Sequence, residues 1–242
     1  MVENFEKPCV DCGKPVKLSR KPESGRIAAL AEALGVMCED CARKEAQEEA
    51  RRRATFEEIG KATRITESGV PEKLRAVTFD QLQVTDDNRS AIEHGQSWAE
   101  GKTKGLVITG PVGVGKTWTA AASANGFLER RSLRWFSVAR MLASARAGFK
   151  DRSREEVNKV LLDPKLALVM DDIDKVNPTD FARDILFQAI DERVNNDTAL
   201  LVTTNMRYPE IEKTYGEPIA SRLAGYCKAV RIEGEDRRRA GA

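Results

Sequence analysis

The amino-acid sequence predicts an α/β fold, in which a parallel five-stranded sheet is flanked by helices and preceded by a small cysteine-rich module. Three observations carry this prediction. Continuous apolar runs recur between helix-like segments, as expected for strands that are buried on both faces of a parallel sheet. A glycine-rich loop joins one such run to an alanine-rich segment, and a pair of aspartates closes another run. Four cysteines form two C-x-x-C pairs near the N-terminus.

The glycine-rich loop is GPVGVGKT, a complete G-x-x-x-x-G-K-T that follows the apolar run Leu106, Val107, Ile108. Strand, loop and helix are the context that a phosphate-binding loop requires, because glycines let backbone N–H groups turn toward phosphate oxygens. Lys116 is expected to reach the β- and γ-phosphates, and the Thr117 hydroxyl to ligate Mg²⁺. The loop therefore predicts a site for ATP that includes Gly110, Pro111, Val112, Gly113, Val114, Gly115, Lys116, Thr117 and Trp118.

Two further strand ends supply polar groups. The run LALVM at residues 166–170 ends in Asp171 and Asp172, where open α/β sheets bind their ligands. Asp171 is expected to hold Mg²⁺, and Asp172 to orient or deprotonate the attacking water. The run ALLVTT at 199–204 ends in Asn205, which can position water or contact the γ-phosphate. The predicted catalytic set is therefore Lys116, Asp171, Asp172 and Asn205.

The cysteines Cys9, Cys12, Cys38 and Cys41 predict one tetrahedral Zn²⁺ held by four thiolates. Four protein ligands leave no open coordination position, so the predicted metal is structural rather than catalytic. Disulfides or free thiols are the alternative. Cys227, in the last predicted strand, is interpreted as a small buried hydrophobe.

Composition excludes several function classes. Forty basic against 38 acidic residues leave a net charge of +2, so no global electrostatic field indicates nucleic-acid binding. No apolar run approaches the length of a membrane span, and the N-terminus lacks the apolar core of a signal peptide. The sequence therefore predicts a cytoplasmic protein without a membrane partner, in a compartment where thiols stay reduced.

The predicted domains are a zinc-binding module at 1–45, a charged helical linker at 46–70 and a nucleotide-binding domain at 71–242. A basic connection inside the last domain is a candidate for binding single-stranded DNA, because it pairs a stacking aromatic with phosphate-seeking cations. A solvated basic loop is the alternative interpretation. The residues concerned are Phe149, Lys150, Arg152 and Arg154.

Taken together, GPVGVGKT, LVMDDID, TTN at 203–205 and YGEPIASRL followed by DRR resemble the AAA+ ATPases. Within them the motifs resemble the bacterial and phage replicative-helicase loaders of the DnaC and DnaI type, whose core the IstB-like transposition adaptors share. The resemblance implies that Asn205 is sensor I and that Arg222 is an arginine finger for a neighbouring subunit's ATP. It also implies a sensor-II-like role for Arg237 or Arg238, and no helical lid at the C-terminus.

What the resemblance implies about function is an ATPase that loads the hexameric replicative helicase onto single-stranded DNA, associated with the nucleoid during replication. It implies that the zinc module grips the helicase and that the protein self-associates through the finger. Because Asp172 stands where AAA+ proteins commonly have glutamate, hydrolysis is expected to be slow and switch-like. Two alternatives remain open: an IstB-like transposition adaptor, and a zinc-dependent DNA-binding or scaffold protein with a structural nucleotide.

Overall fold

The computed structural model describes residues 5–18, 35–147, 159–175 and 177–237, and the chain divides into two compact units at 1–60 and 61–242. The basic connection at 149–154 lies outside the described residues, as does most of the segment between the two cysteine pairs. Among the residues that are described, no helix combines the length and apolar character needed to cross a bilayer.

The first unit contains a hairpin and the beginning of a long helix. Strands β1 (Phe5–Pro8) and β2 (Pro15–Leu18) pair antiparallel, and Cys9 forms an isolated bridge to Val36. Helix α1 (Glu39–Glu67) begins with two acidic residues, which complement the positive end of the helix dipole. Along α1, glutamate–arginine pairs four residues apart and few apolar positions produce the solvated helix that its composition predicts.

The second unit is a three-layer α/β domain. Its elements, in chain order, are α2 (Arg89–Ala99), β3 (Gly105–Thr109), α3 (Lys116–Leu128), β4 (Leu133–Ser137), α4 (Val138–Ala147), β5 (Ala167–Asp171), α5 (Asp180–Asn195), β6 (Leu200–Thr204), α6 (Tyr208–Tyr215), α7 (Glu217–Tyr226) and β7 (Cys227–Arg231).

The five strands form one parallel sheet in the order β4-β5-β6-β3-β7, which confirms the predicted architecture. After β3, which has β6 and β7 as neighbours, the chain crosses to β4 at the far edge. In doubly wound sheets the crevice beside such a crossover, at the carboxyl ends of the strands, is where ligands bind. The carboxyl ends of β3, β5 and β6 therefore define the place for a site.

Alternate side chains of the central strands supply two apolar layers. Leu106 and Ile108 pack into one cluster with the alanines of α3, while Val107 faces the cluster that contains residues of α5 and α7. Every residue of β3, β5 and β6 is buried, which explains why these strands are continuous apolar runs rather than alternating ones.

The structure moves several predicted element ends by one or two residues, and it contains α6, which the sequence reasoning did not identify. Residues 66–71, which span the predicted junction between the linker and the nucleotide-binding domain, lie inside the second unit. There Val70 is buried, and the Ser68 carbonyl accepts a 2.7 Å hydrogen bond from the backbone N–H of Trp135.

Candidate functional site

The phosphate loop connects β3 to the N-terminus of α3. Gly115, the residue before the helix, has φ 106°, a left-handed conformation that favours glycine. A Cβ atom added at Gly115 would meet no atom within 4 Å, so backbone conformation rather than crowding requires this glycine. The first N–H groups of an α-helix have no partners within the helix, so the N-terminus of α3 is a helix end of the kind that binds anions.

Lys116 connects the loop to the neighbouring strand. Its side chain is nearly buried, and Nζ donates to the carbonyls of Gly110 at 2.9 Å and Pro111 at 2.6 Å. A third hydrogen bond, of 2.6 Å, reaches Oδ1 of Asn205 at the end of β6. Burial lowers the pKa of Lys116, while the carboxylates of Asp172 and Asp174 oppose that shift. Three oxygen atoms therefore hold the ammonium at the crevice.

Asp171 and Thr117 meet across the same crevice. The Thr117 hydroxyl donates to Oδ1 of Asp171 at 3.1 Å, and the Thr203 hydroxyl donates to the same oxygen at 2.7 Å. Burial raises the pKa of Asp171, and the two hydroxyl hydrogen bonds partly offset that effect. Hydroxyl and carboxylate oxygens are the ligands that Mg²⁺ prefers, so this pair fits the predicted metal.

Asp172 adopts φ 58°, in the left-handed region that non-glycine residues rarely occupy. Its backbone N–H donates to the Thr203 hydroxyl at 2.9 Å, and its carboxylate forms an ion pair with Lys175. The hydrogen bond from Lys175 to Asp172 raises the pKa of Lys175. The backbone at Asp172 therefore leaves the extended conformation of β5, and the residue is held by Thr203 through its N–H and by Lys175 through its carboxylate.

The sequence reasoning assigned no role to Asp174, Lys175 or Thr203, although the quoted motifs LVMDDID and TTN contain two of them. Asp174 accepts from the backbone N–H of Asn205 at 2.9 Å and from its side-chain amide at 2.5 Å. The only available signal was position, since each residue lies within four residues of a strand end that carries a predicted site residue.

The remaining residues of the phosphate loop differ from one another in solvent exposure. Val114 is buried in the core cluster, whereas Val112 and Trp118 are exposed by 55% and 50%. The backbone N–H of Arg237 donates to the Gly113 carbonyl at 3.2 Å, so the segment after β7 lies against the loop. Arg238 lies outside the described residues.

Arg222 lies on α7 and contacts α5. Its Nε donates to the Asp191 carboxylate, and its guanidinium stacks over the Phe187 ring at 4.5 Å from the centroid. The side chain retains 36% of its accessible surface. Arg222 therefore has partners within its own chain, and contact with another subunit's nucleotide would require it to exchange them.

The four N-terminal cysteines form one cluster in the first unit. Their sulfur atoms all lie within 4.8 Å of one another, and Sγ of Cys12 is 3.6 Å from Sγ of Cys38. Tetrahedral zinc, with Zn–S bonds of about 2.3 Å, separates its sulfurs by about 3.8 Å. A disulfide would require about 2.05 Å, so the spacing fits a metal better than a covalent bridge.

Backbone hydrogen bonds stabilise the thiolate of one member of this cluster, Cys9. The N–H of Cys38 donates to Sγ of Cys9 at 3.3 Å, and backbone hydrogen bonds from Cys38 and Cys12 lower the pKa of Cys9 to about 6. Hydrogen bonds with neighbouring cysteines raise the pKa of Cys41. Cys227 behaves differently, because burial in the sheet raises its pKa to about 12, as expected for a structural thiol.

Comparison with known proteins places this geometry in a family. Residues 38–241 match the family model described as IstB-like ATP binding protein. The replicative helicase loader DnaI of Bacillus subtilis is 27% identical over 190 residues, which cover 70% of this chain and 60% of that protein. A putative ATP-binding protein in an insertion sequence of Mycobacterium tuberculosis is 32% identical over 101 residues, covering 41% of this chain and 40% of that protein.

A crystal structure of the DnaC helicase loader has the same fold, with a TM-score of 0.59 at 20% identity over 67% of this chain and 99% of that one. The chain spans less than two thirds of the length of the two relatives matched by sequence. The predicted AAA+ fold of the DnaC and DnaI type is confirmed. Because the family model matches most of its length, this chain belongs to the IstB-like ATP-binding protein family.

Proposed function

We propose that this chain is an ATP-dependent loader of the hexameric replicative DNA helicase onto single-stranded DNA, and that it hydrolyses ATP as a slow switch. The observation that carries the proposal is the hydrogen-bonded connection of three strand ends through Lys116, Asp171 and Asn205. The similarity to a protein named as a replicative helicase loader supports the choice of partner.

Bound ATP with Mg²⁺ would supply the phosphoryl group and the charge on which this site acts. The Lys116 ammonium would break its hydrogen bonds with the loop carbonyls and pair with phosphate oxygens instead. The backbone N–H groups of the loop would bind the same oxygens. Thr117 and Asp171 would hold the metal. Asp172 would accept a proton from water, a role that requires it to leave Lys175.

Assembly would depend on Arg222. A guanidinium supplied by an adjacent subunit neutralises phosphate charge only when the two subunits dock, which couples ATP to oligomerisation. In the isolated chain Arg222 forms an ion pair with Asp191. On docking, Arg222 would exchange this carboxylate for a phosphate group of the ATP bound to the neighbouring subunit. Arg237 or Arg238 would contribute a further cation from the chain's own C-terminal segment.

The zinc module at 1–45 would grip the helicase, and the linker at 46–70 would join it to the ATPase domain at 71–242. Zn²⁺ bound by Cys9, Cys12, Cys38 and Cys41 would stabilise that module.

The proposed contact with single-stranded DNA depends on the basic connection, whose residues lie outside the described parts of the chain. Replacing its cations with alanine should weaken DNA binding and flatten its salt dependence, the cations being Lys150, Arg152 and Arg154.

The test is a loading assay with purified components. The chain, ATP and the hexameric helicase of the same cell should give helicase bound to closed circular single-stranded DNA, and Lys116→Ala should abolish the effect. Failure of the parental chain to bind that helicase would reject the proposal.

A second candidate is an adaptor in transposition, favoured by the family description and by the relative found in an insertion sequence. That function predicts ATP-dependent binding to a transposase and no binding to the helicase. If the chain is instead a DNA-binding or scaffold protein with a structural nucleotide, it should bind neither the helicase nor a transposase. Its full stability should then depend on bound nucleotide.

A further inference from the structure

The side-chain amide of Asn205 lies between two opposite charges. On one side Asp174 accepts from the backbone N–H of Asn205 at 2.9 Å and from Nδ2 at 2.5 Å. On the other side Oδ1 of Asn205 accepts from the Lys116 ammonium at 2.6 Å. A carboxylate accepts hydrogen bonds and an ammonium donates them, so each end of the amide faces the only kind of partner it can use.

Rotating the amide by half a turn would bring its NH₂ group against the ammonium and its oxygen against the carboxylate. Both contacts would be repulsive, and two charge-assisted hydrogen bonds would be lost. The orientation is therefore set by Asp174 and Lys116 together. Only Asp174 can keep it when Lys116 turns to a phosphate, because Asp174 binds the backbone N–H and the side chain of Asn205 at once.

We propose that Asp174 is a positioning residue that holds the Asn205 amide with its oxygen toward the phosphate side of the site. Asn205 then serves this site as a hydrogen-bond acceptor, which orients Lys116 and the attacking water, and it does not donate to the γ-phosphate. This inference rests on the proposed ATPase function and deepens it, since a donor and an acceptor at this position have different effects on catalysis.

The variants follow from the hydrogen-bond inventory. In Asp174→Asn, residue 174 can present NH₂ to Asn205, so the Asn205 amide can turn and present its donor to the phosphate side. In Asn205→Asp, two carboxylates face each other beside Lys116. The exchange Asp174→Asn with Asn205→Asp places a donor at 174 and an acceptor at 205 toward Lys116, so that each contact again pairs a donor with an acceptor, and it leaves the net charge unchanged. Asp184→Asn, an exposed carboxylate on α5, is the matched control.

Steady-state kinetics should separate positioning from binding. Asp174→Asn should lower kcat for ATP hydrolysis roughly 10- to 100-fold, the effect of one misplaced charge-assisted hydrogen bond, with KM changed less than about threefold. Asn205→Asp should be at least as slow, the exchange variant should recover most of the rate, and Asp184→Asn should match the parent. An unchanged kcat in Asp174→Asn, or an exchange variant slower than both single variants, would overturn the proposal.

A second readout needs neither turnover nor a variant. In the ¹⁵N spectrum of nucleotide-free protein, the Asn205 side-chain NH₂ should exchange slowly with solvent, and it should remain protected when a non-hydrolysable ATP analogue binds. A scalar coupling from Nδ2 of Asn205 to the γ-phosphorus of the analogue would overturn the proposal. If the parental chain hydrolyses no ATP, the proposed ATPase function fails, while this measurement still decides the orientation of the amide.

Discussion

Replacing Thr203 with valine should destabilise the second unit through the two aspartates at the C-terminal end of β5, Asp171 and Asp172. The Thr203 side chain is completely buried; its hydroxyl donates to Asp171 at 2.7 Å and accepts from the backbone N–H of Asp172 at 2.9 Å. Valine has nearly the same shape but no polar atom, so the substitution removes both hydrogen bonds without opening a cavity. It leaves the partly buried N–H of Asp172 without this partner and removes one of the two hydroxyls that donate to Asp171.

The cost follows from these contacts. A hydrogen bond to a charged group contributes about 1.5–3 kcal/mol, and a neutral one contributes about 1 kcal/mol. Thr203→Val should therefore lower the free energy of unfolding by about 2.5–4 kcal/mol. Thr204→Val is the matched control, because Thr204 is equally buried and its hydroxyl accepts one hydrogen bond, of 3.1 Å, from the backbone N–H of Met206. It should cost about 1 kcal/mol.

Urea unfolding followed by tryptophan fluorescence provides the assay. The three tryptophans, Trp98, Trp118 and Trp135, all lie in the second unit, so the signal reports on that unit. Thr203→Ser should stay close to the parent, since it keeps the hydroxyl. The reasoning would be refuted if Thr203→Val were no less stable than Thr204→Val.

The pH dependence gives an independent check on nucleotide-free protein. Burial is the largest cause of the raised pKa of Asp171, and the hydrogen bond from Thr203 opposes it. A carboxyl with a raised folded-state pKa contributes stability that is complete below its unfolded value and is lost as the pH rises through the folded value. Losing the Thr203 hydroxyl raises the folded pKa further, so the destabilisation by Thr203→Val should be largest at neutral pH and should shrink toward acid.

Three other predictions concern the metal, the nucleotide and the subunit contact. Protein purified without chelator should carry about one zinc ion per chain, and Cys9→Ser should lose it with no change in the thermal unfolding of the second unit. Metal analysis that finds no zinc would contradict this. Lys116→Ala should abolish ATP binding, whereas Asp172→Asn should bind ATP and hydrolyse it at least tenfold more slowly; hydrolysis at the parental rate would remove Asp172 from the catalytic set. Arg222→Ala should bind ATP yet lose hydrolysis and ATP-dependent assembly, and mixing it with Lys116→Ala should restore activity. Asp191→Asn, which frees Arg222 from its own chain, should keep both activities. A mixture that stays inactive while both variants remain folded would limit Arg222 to its local ion pair.

The sequence by itself was sufficient for the architecture and for the residue types of the site. Continuous apolar runs require burial on both faces, and that requirement produces a parallel sheet whatever the details of packing. The phosphate loop could also be predicted from the sequence, because its glycines and the Lys116-Thr117 pair lie in one short stretch of the chain. The cysteine pairs predicted a cluster because their spacing is typical of zinc knuckles, and the sulfur positions agree with it.

Only the tertiary structure determined which side chains meet. Asp174 and Asn205 are 31 residues apart, and Lys116 and Asn205 are 89 apart, so their hydrogen bonds exist only because β3, β5 and β6 end at one edge. Threonine is common in strands, so nothing in the sequence marks Thr203 as a site residue. Its hydrogen bonds with Asp171 and Asp172 form only because β6 lies beside β5. The partners of Arg222 were also invisible in the sequence, because the packing of α7 against α5 depends on side-chain shape across two layers. Local patterns record what each segment can become, but hydrogen bonds between strand ends depend on the order of the strands in the sheet.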